Sequence, residues 1–168
     1  ITPEHEAFIA QQPLFFVGSA PLGAAGHVNL SPKGLDAFRV IDASTVMYLD
    51  LTGSGNETAA HLIENGRLTI MFCAFAGNPK ILRLYCRGRV VTRLAAEWSS
   101  LIALFPDTPG VRQIVVGEVT AVQTSCGFGV PLMTVTAQRD QLTRWAASKG
   151  DEGLREYRRT RNAVSLDG

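Results

Sequence analysis

The run Ile81–Thr92, ILRLYCRGRVVT, decides the fold class. Leu82, Leu84, Cys86 and Val90 alternate with Arg83, Tyr85, Arg87 and Arg89, so one face is apolar and the other basic. A period of two with one dry and one wet face predicts a half-exposed antiparallel strand. Leu68–Phe75 (LTIMFCAF) reads as a neighbouring strand, and Gly77-Asn78-Pro79 supplies the turn between the two. Upstream, Leu14–Ala20 (LFFVGSA) and His27–Ser31 (HVNLS) flank the Gly- and Pro-rich PLGAAG, a second hairpin pattern. Phe38–Ile41, Thr45–Leu51 (TVMYLDL) and Ile114–Ser125 continue the strand character. Six or more strands with hairpin connections and few helices predict a mainly β fold, an antiparallel barrel carrying its helices outside.

Thr2-Pro3 opens a short helix to about Gln11, with Pro in the first turn. Glu57–Asn65 is a second helix, and Gly66 stands where a left-handed cap closes it. Glu97–Phe105 places Trp98, Leu101, Ile102 and Phe105 at helical spacing. Gln138–Arg161 is helical in pattern and holds seven of the 16 basic residues, diluted by Asp140, Asp151, Glu152 and Glu156. Such mixed charge reads as a solvated helix face.

At 168 residues the chain is expected to be one globular unit, with 46% apolar and only 18% charged residues. A net charge of +1 gives no reason to expect a nucleic-acid or anionic-membrane surface. No apolar run approaches the ~20 residues that cross a bilayer, and nothing reads as a secretion signal. Cys73, Cys86 and Cys126 are odd in number and widely spaced, which fits free thiols in a reducing compartment. A cytoplasmic location is the expectation.

Familiar catalytic constellations are missing. His5, His27 and His61 are scattered without a metal-binding spacing, so no metal is expected. Gly53-Ser54-Gly55 lacks the frame of a nucleophile elbow, and no Gly-Lys-Ser/Thr marks a P-loop. Two polar clusters remain. In Asp50–Thr58, DLTGSGNET, small residues and hydroxyls lead into a helix whose first N–H groups attract anions, phosphate above all. The same residues also fit a capping box in which Ser54 and Glu57 satisfy those groups internally. In His27–Gly34, HVNLSPKG, residues Asn29, Ser31 and Lys33 share one face of an extended chain.

HVNLSPKG, then MYLDLTGSGNETAAHLIENGRLTIMF, then ILRLYCRGRV resembles the pyridoxamine 5′-phosphate oxidase-related, FMN-binding split-barrel family over roughly Phe8 to Arg93. The resemblance implies a six-stranded antiparallel split β-barrel with flanking helices. It also implies a homodimer with FMN in clefts at its interface. Carried over by motif, Asn29, Leu30, Ser31 and Lys33 would line the flavin. Leu51, Thr52, Gly53, Ser54, Asn56 and Thr58 would hold the phosphate and ribityl chain, and Arg83 takes a strand position where the authentic oxidase has a flavin-touching glutamine. The implied organisation is an FMN-binding barrel over residues 1–135 and a C-terminal helical extension over 136–168 packing on it.

Departures from the family pattern narrow the activity. Where pyridoxamine 5′-phosphate oxidase carries an Arg-Lys pair, this chain has Glu57-Thr58-Ala59. In place of its C-terminal substrate segment stands SCGFGVP, Ser125–Pro131. The expectation is therefore an FMN-dependent oxidoreductase of an unknown small substrate, with no acid or base assigned. Alternatives are a reductase using the deazaflavin F420, or a flavin- or haem-binding module without turnover. Cys126 and Phe128 are candidates for a wall of the substrate cleft; the competing reading is a turn with Phe128 buried and Cys126 inert.

Overall fold

A computed structural model describes all 168 residues. In chain order the elements are α1 (Pro3–Ala10), β1 (Phe15–Ser19), β2 (Asn29–Lys33), β3 (Phe38–Val40), β4 (Thr45–Leu51) and α2 (Glu57–Asn65). There follow β5 (Arg67–Cys73), β6 (Ile81–Val91), α3 (Trp98–Ile102), β7 (Val111–Ser125) and α4 (Gln141–Arg161). The strands form one sheet of seven, not six, in the order β2-β1-β5-β6-β7-β4-β3, and every pairing is antiparallel. The shortest strand is β3, three residues at the sheet's edge that pair Phe38 with Tyr48, where Phe38–Ile41 carries strand character in the sequence.

The sheet curls on itself. Phe15 on β1 and Tyr48 on β4 are separated by three strands in the sheet order, yet their rings lie 5.5 Å apart. Phe38 and Phe72 close the same gap at 5.1 Å. Aromatic edges meeting across the interior, with Val17, Ile70, Leu82, Leu84 and Val115, form the principal core. A second core lies on the other side of β4 and β7, where Met47, Leu49, Ile114 and Val116 meet Phe105 and the flank of α3. β4 is thus dry on both faces, which is why TVMYLDL reads as a continuous apolar run and not as an alternation.

α1 begins as its sequence predicts: Thr2 accepts from the His5 N–H, and His5 Nδ1 accepts from the Thr2 N–H. α2 ends at Gly66 in the left-handed conformation, φ 70°. It lies close against β6 at Gly88, where a Cβ would come within 2.7 Å of Leu62, so a larger residue would push the helix outward. α4 breaks at Gly150 into two helical pieces, each burying one small patch, Ala146 and Leu154. No helix is long and apolar enough to cross a membrane.

Candidate functional site

The packing of α2 on the barrel leaves a cleft of about 790 Å³ where β2, the end of β4 and the start of α2 converge. Residues 135–142, after the barrel, form its opposite side through Val135, Gln138, Arg139 and Leu142. β2 alternates, so Asn29, Ser31 and Lys33 turn one way; all three line the cleft, as do Leu51, Gly53, Ser54, Asn56 and Thr58.

A charged cluster floors the cleft. Asp50 accepts from Lys33 Nζ at 2.8 Å through Oδ1, and from Arg112 Nη2 at 2.7 Å and Gln113 Nε2 at 2.8 Å through Oδ2. Burial pushes the Asp50 carboxyl up, but the Lys33 and Arg112 charges and their hydrogen bonds outweigh this and hold it below the ordinary carboxylate range. Two cations around one carboxylate leave the floor with a formal excess of one positive charge. Arg112 also donates to the Gly55 carbonyl and to Asn162 Oδ1, clamping the glycine loop from below.

Adjacent strand residues ordinarily point to opposite faces, yet Arg112 and Gln113 reach the same carboxylate. The cause is a bulge: Asp50 pairs with Gln113 and Leu51 with Val111, so Arg112 is an extra residue on β7. Bulges re-aim side chains in this way.

At the mouth of α2, the expected capping box does not form. Asn56, not Ser54, is the cap residue, and it makes no side-chain bond to the helix. Glu57 lines the cleft as well, its carboxylate engaged in accepting the Leu166 N–H at 3.0 Å. The N–H groups of Glu57 and Thr58 therefore have neither an intrahelical partner nor an internal cap. Behind them Asn29 Nδ2 donates to Thr58 Oγ1 at 2.9 Å and to Ser19 Oγ at 3.3 Å, while Ser31 donates to Asn29 Oδ1. Ser19 in turn meets the buried His61 Nδ1 at 2.9 Å. These bonds tie β1, β2 and α2 into one cleft wall.

Five of the expected site residues lie outside this cleft. Leu30 projects from the other face of β2 and is 65% exposed, as alternation requires. Thr52 is fully buried, its hydroxyl donating to Gly110 O and accepting from Arg158 Nε. Arg83 sits on β6, three strands from β2, and donates to the Ser125 hydroxyl. Cys126 is exposed and Phe128 is 81% exposed, so the segment does not bury Phe128 within its own chain, and neither residue lines the cleft of that chain. Conversely, Arg112, Gln113 and a floor role for Asp50 are not drawn from the sequence. Asp50 and Arg112 are lone charges in the apolar runs TVMYLDL and VRQIVV, a signal for buried pairing.

The profile of the family described as pyridoxamine 5′-phosphate oxidase matches residues 1–126. The pyridoxamine 5′-phosphate oxidase family protein ustO of Aspergillus flavus is 41% identical over 175 residues, spanning 94% of this chain and 70% of that protein. Among solved structures, HupZ of Group A Streptococcus aligns with a TM-score of 0.59 at 20% identity, over 75% of this chain and 94% of that one. HutZ, the haem storage protein of Vibrio cholerae, gives 0.52 at 17% identity, over 77% and 96%. An FAD-binding protein from Mycobacterium smegmatis gives 0.50 at 12% identity, over 74% and 94%. At such identities the solved structures establish a shared fold.

Proposed function

From the premise that this chain belongs to the pyridoxamine 5′-phosphate oxidase family, we propose that its cleft holds FMN and that it is an oxidoreductase of a small organic substrate. The observation that carries this reading is the donor set on one cleft: Lys33, the hydroxyls of Ser54 and Thr58, and an uncapped helix start above a cationic floor. That chemistry fits a phosphate monoester. Asn29, Ser31 and Leu51 would flank the remainder of the cofactor, and Pro13, Leu14, Leu35, Val135 and Leu142 supply apolar wall that excludes water.

Bound FMN would supply hydride or electron transfer, while the protein supplies orientation and local charge. Glu57-Thr58 in place of the Arg-Lys pair argues against vitamin B6 phosphates as substrate. A haem ligand is disfavoured by the lining itself, which contains no His, Cys, Met or Tyr to ligate iron.

The proposal includes a twofold homodimer with FMN reached from both chains. Edge strands β2 and β3 are unpaired on one side, and Leu30, Phe128, Leu132 and Met133 are exposed apolar groups suited to burial against a second copy. Reconstitution with FMN, F420 and haem, read by visible spectrum after desalting, tests the reading. Retention of stoichiometric FMN that a reductant bleaches is the expected result; retention of haem or F420 alone overturns it.

A further inference from the structure

Two internal acceptors stand next to the start of α2, and both are held elsewhere. Asn56 occupies the cap position, where Asn ordinarily turns its side-chain oxygen onto the second or third helical N–H. Instead its Oδ1 accepts from Gln113 Nε2 at 2.9 Å. Gln113 is 6% exposed, and the same Nε2 is anchored to Asp50 Oδ2 at 2.8 Å. The bulge at Arg112 aims Gln113 at this carboxylate, so its position is set by the ladder and by a buried charge together. The second acceptor, Glu57, is favoured by charge near a helix start, but it is engaged with Leu166.

We infer that Gln113 is a positioning residue that sets the ligand class of the cleft: by drawing Asn56 off α2, it keeps the Thr58 N–H available to the phosphate of a ligand. Gln113 does not line the cleft, and it acts only through Asn56. The inference rests on the phosphate-binding reading above and deepens it. Without the Gln113 donor, Asn56 Oδ1 rotates onto the helix start and competes with phosphate for the same group. A ligand lacking phosphate makes no such competition, so the effect separates FMN from riboflavin.

The test measures FMN and riboflavin affinities of the full chain and compares their ratio among variants. Gln113→Met keeps the length and removes the donor. It should reduce the FMN-to-riboflavin preference by about five- to tenfold, the scale of one helix cap. Asn56→Gly added to Gln113→Met should recover most of that preference, because the competing oxygen is gone. A purely structural role for Gln113 predicts no recovery.

Should Gln113→Met fail to fold, Asn56→Ser and Asn56→Gly in the native background carry the same logic. Serine caps the helix and is too short to be drawn to Gln113, whereas glycine offers no side-chain acceptor. The serine variant should show the lower preference by a similar factor. An unchanged ratio in Gln113→Met, or equal ratios in the serine and glycine variants, overturns the inference alone. A native chain that binds FMN no better than riboflavin overturns the phosphate reading and this inference with it.

Discussion

Asp50 and Arg112 meet across the β4–β7 ladder with 2.7 Å between Oδ2 and Nη2, their side chains 5% and 8% exposed. Charges this deep lose their hydration, and the pair is sustained because Lys33 and Gln113 take further carboxylate lone pairs. Removing one partner strands the others. Asp50→Asn leaves two cations facing each other and should cost about 3–5 kcal/mol of stability in urea unfolding. Since the folded Asp50 carboxyl lies below its ordinary 3.8, its stabilisation is complete above that value and fades as pH falls through the lower, folded one. The native chain should therefore lose stability on acidification below about pH 4, and Asp50→Asn should lose less over the same interval. Equal acid losses in both would remove Asp50 from this role.

The same pair shows how far the sequence could be read. Alternation along ILRLYCRGRVVT is a local pattern, and β6 follows it, burying Leu82, Leu84 and Cys86. The two polar clusters, Asn29, Ser31 and Lys33 on one strand face and the Gly53–Thr58 loop before a helix, stand out in the residue pattern itself, and the fold gathers them on one cleft. What failed to show was register. Nothing local tells that Asp50 will face Gln113, that Arg112 is the bulged residue, or that Asn56 will be pulled from a cap it fits well. The capping box that Ser54 and Glu57 fit locally does not form, because the helix takes Asn56, two residues beyond Ser54, as its cap residue and the Glu57 carboxylate is held by the distant Leu166 N–H. Thr52 was likewise claimed by the distant Arg158.

Lys33 and Arg83 should separate in binding. The Lys33 ammonium lines the cleft and spends one bond on Asp50, leaving donors free for an anion. Lys33→Ala should weaken FMN relative to riboflavin by about 1.5–3 kcal/mol, the worth of a charge-assisted contact. Arg83 lies outside the cleft of its own chain, so Arg83→Ala should have the smaller effect in the same titration. A larger loss in Arg83→Ala would place the phosphate beside β6.

The three thiols should divide by burial. Burial pushes the Cys86 thiol up to about 12, and it raises Cys73 as well against the opposing charge of Arg83. Thiolate is the reactive form, so both should stay silent towards an aromatic disulfide reagent at pH 8 until the chain is unfolded. Any native reaction should belong to the exposed Cys126 and vanish in Cys126→Ser. Two thiols reacting in the folded Cys126→Ser variant would contradict the packing of β5 and β6.

Phe128 gives the sharpest test of the proposed dimer. The chain turns at Gly127, where the Val130 N–H bonds the Gly127 carbonyl, and the Met133 N–H is pinned to Phe75 O. The segment is thus anchored to the barrel while Phe128, Leu132 and Met133 project outward. Anchored apolar side chains left bare are characteristic of a surface that another molecule covers, and the proposed cover is a second copy of this chain. Two measurements then move in opposite ways. At concentrations low enough to dissociate the proposed dimer, Phe128→Ala should change unfolding free energy by no more than about 0.5 kcal/mol, as expected for an exposed position. Sedimentation equilibrium at higher concentration should show the dimer weakened by about 2 kcal/mol or more, the scale of an aromatic anchor at an interface. A loss of about 3–5 kcal/mol in the monomer would mean Phe128 belongs to a core. An unchanged association constant would move the interface to another face of the barrel.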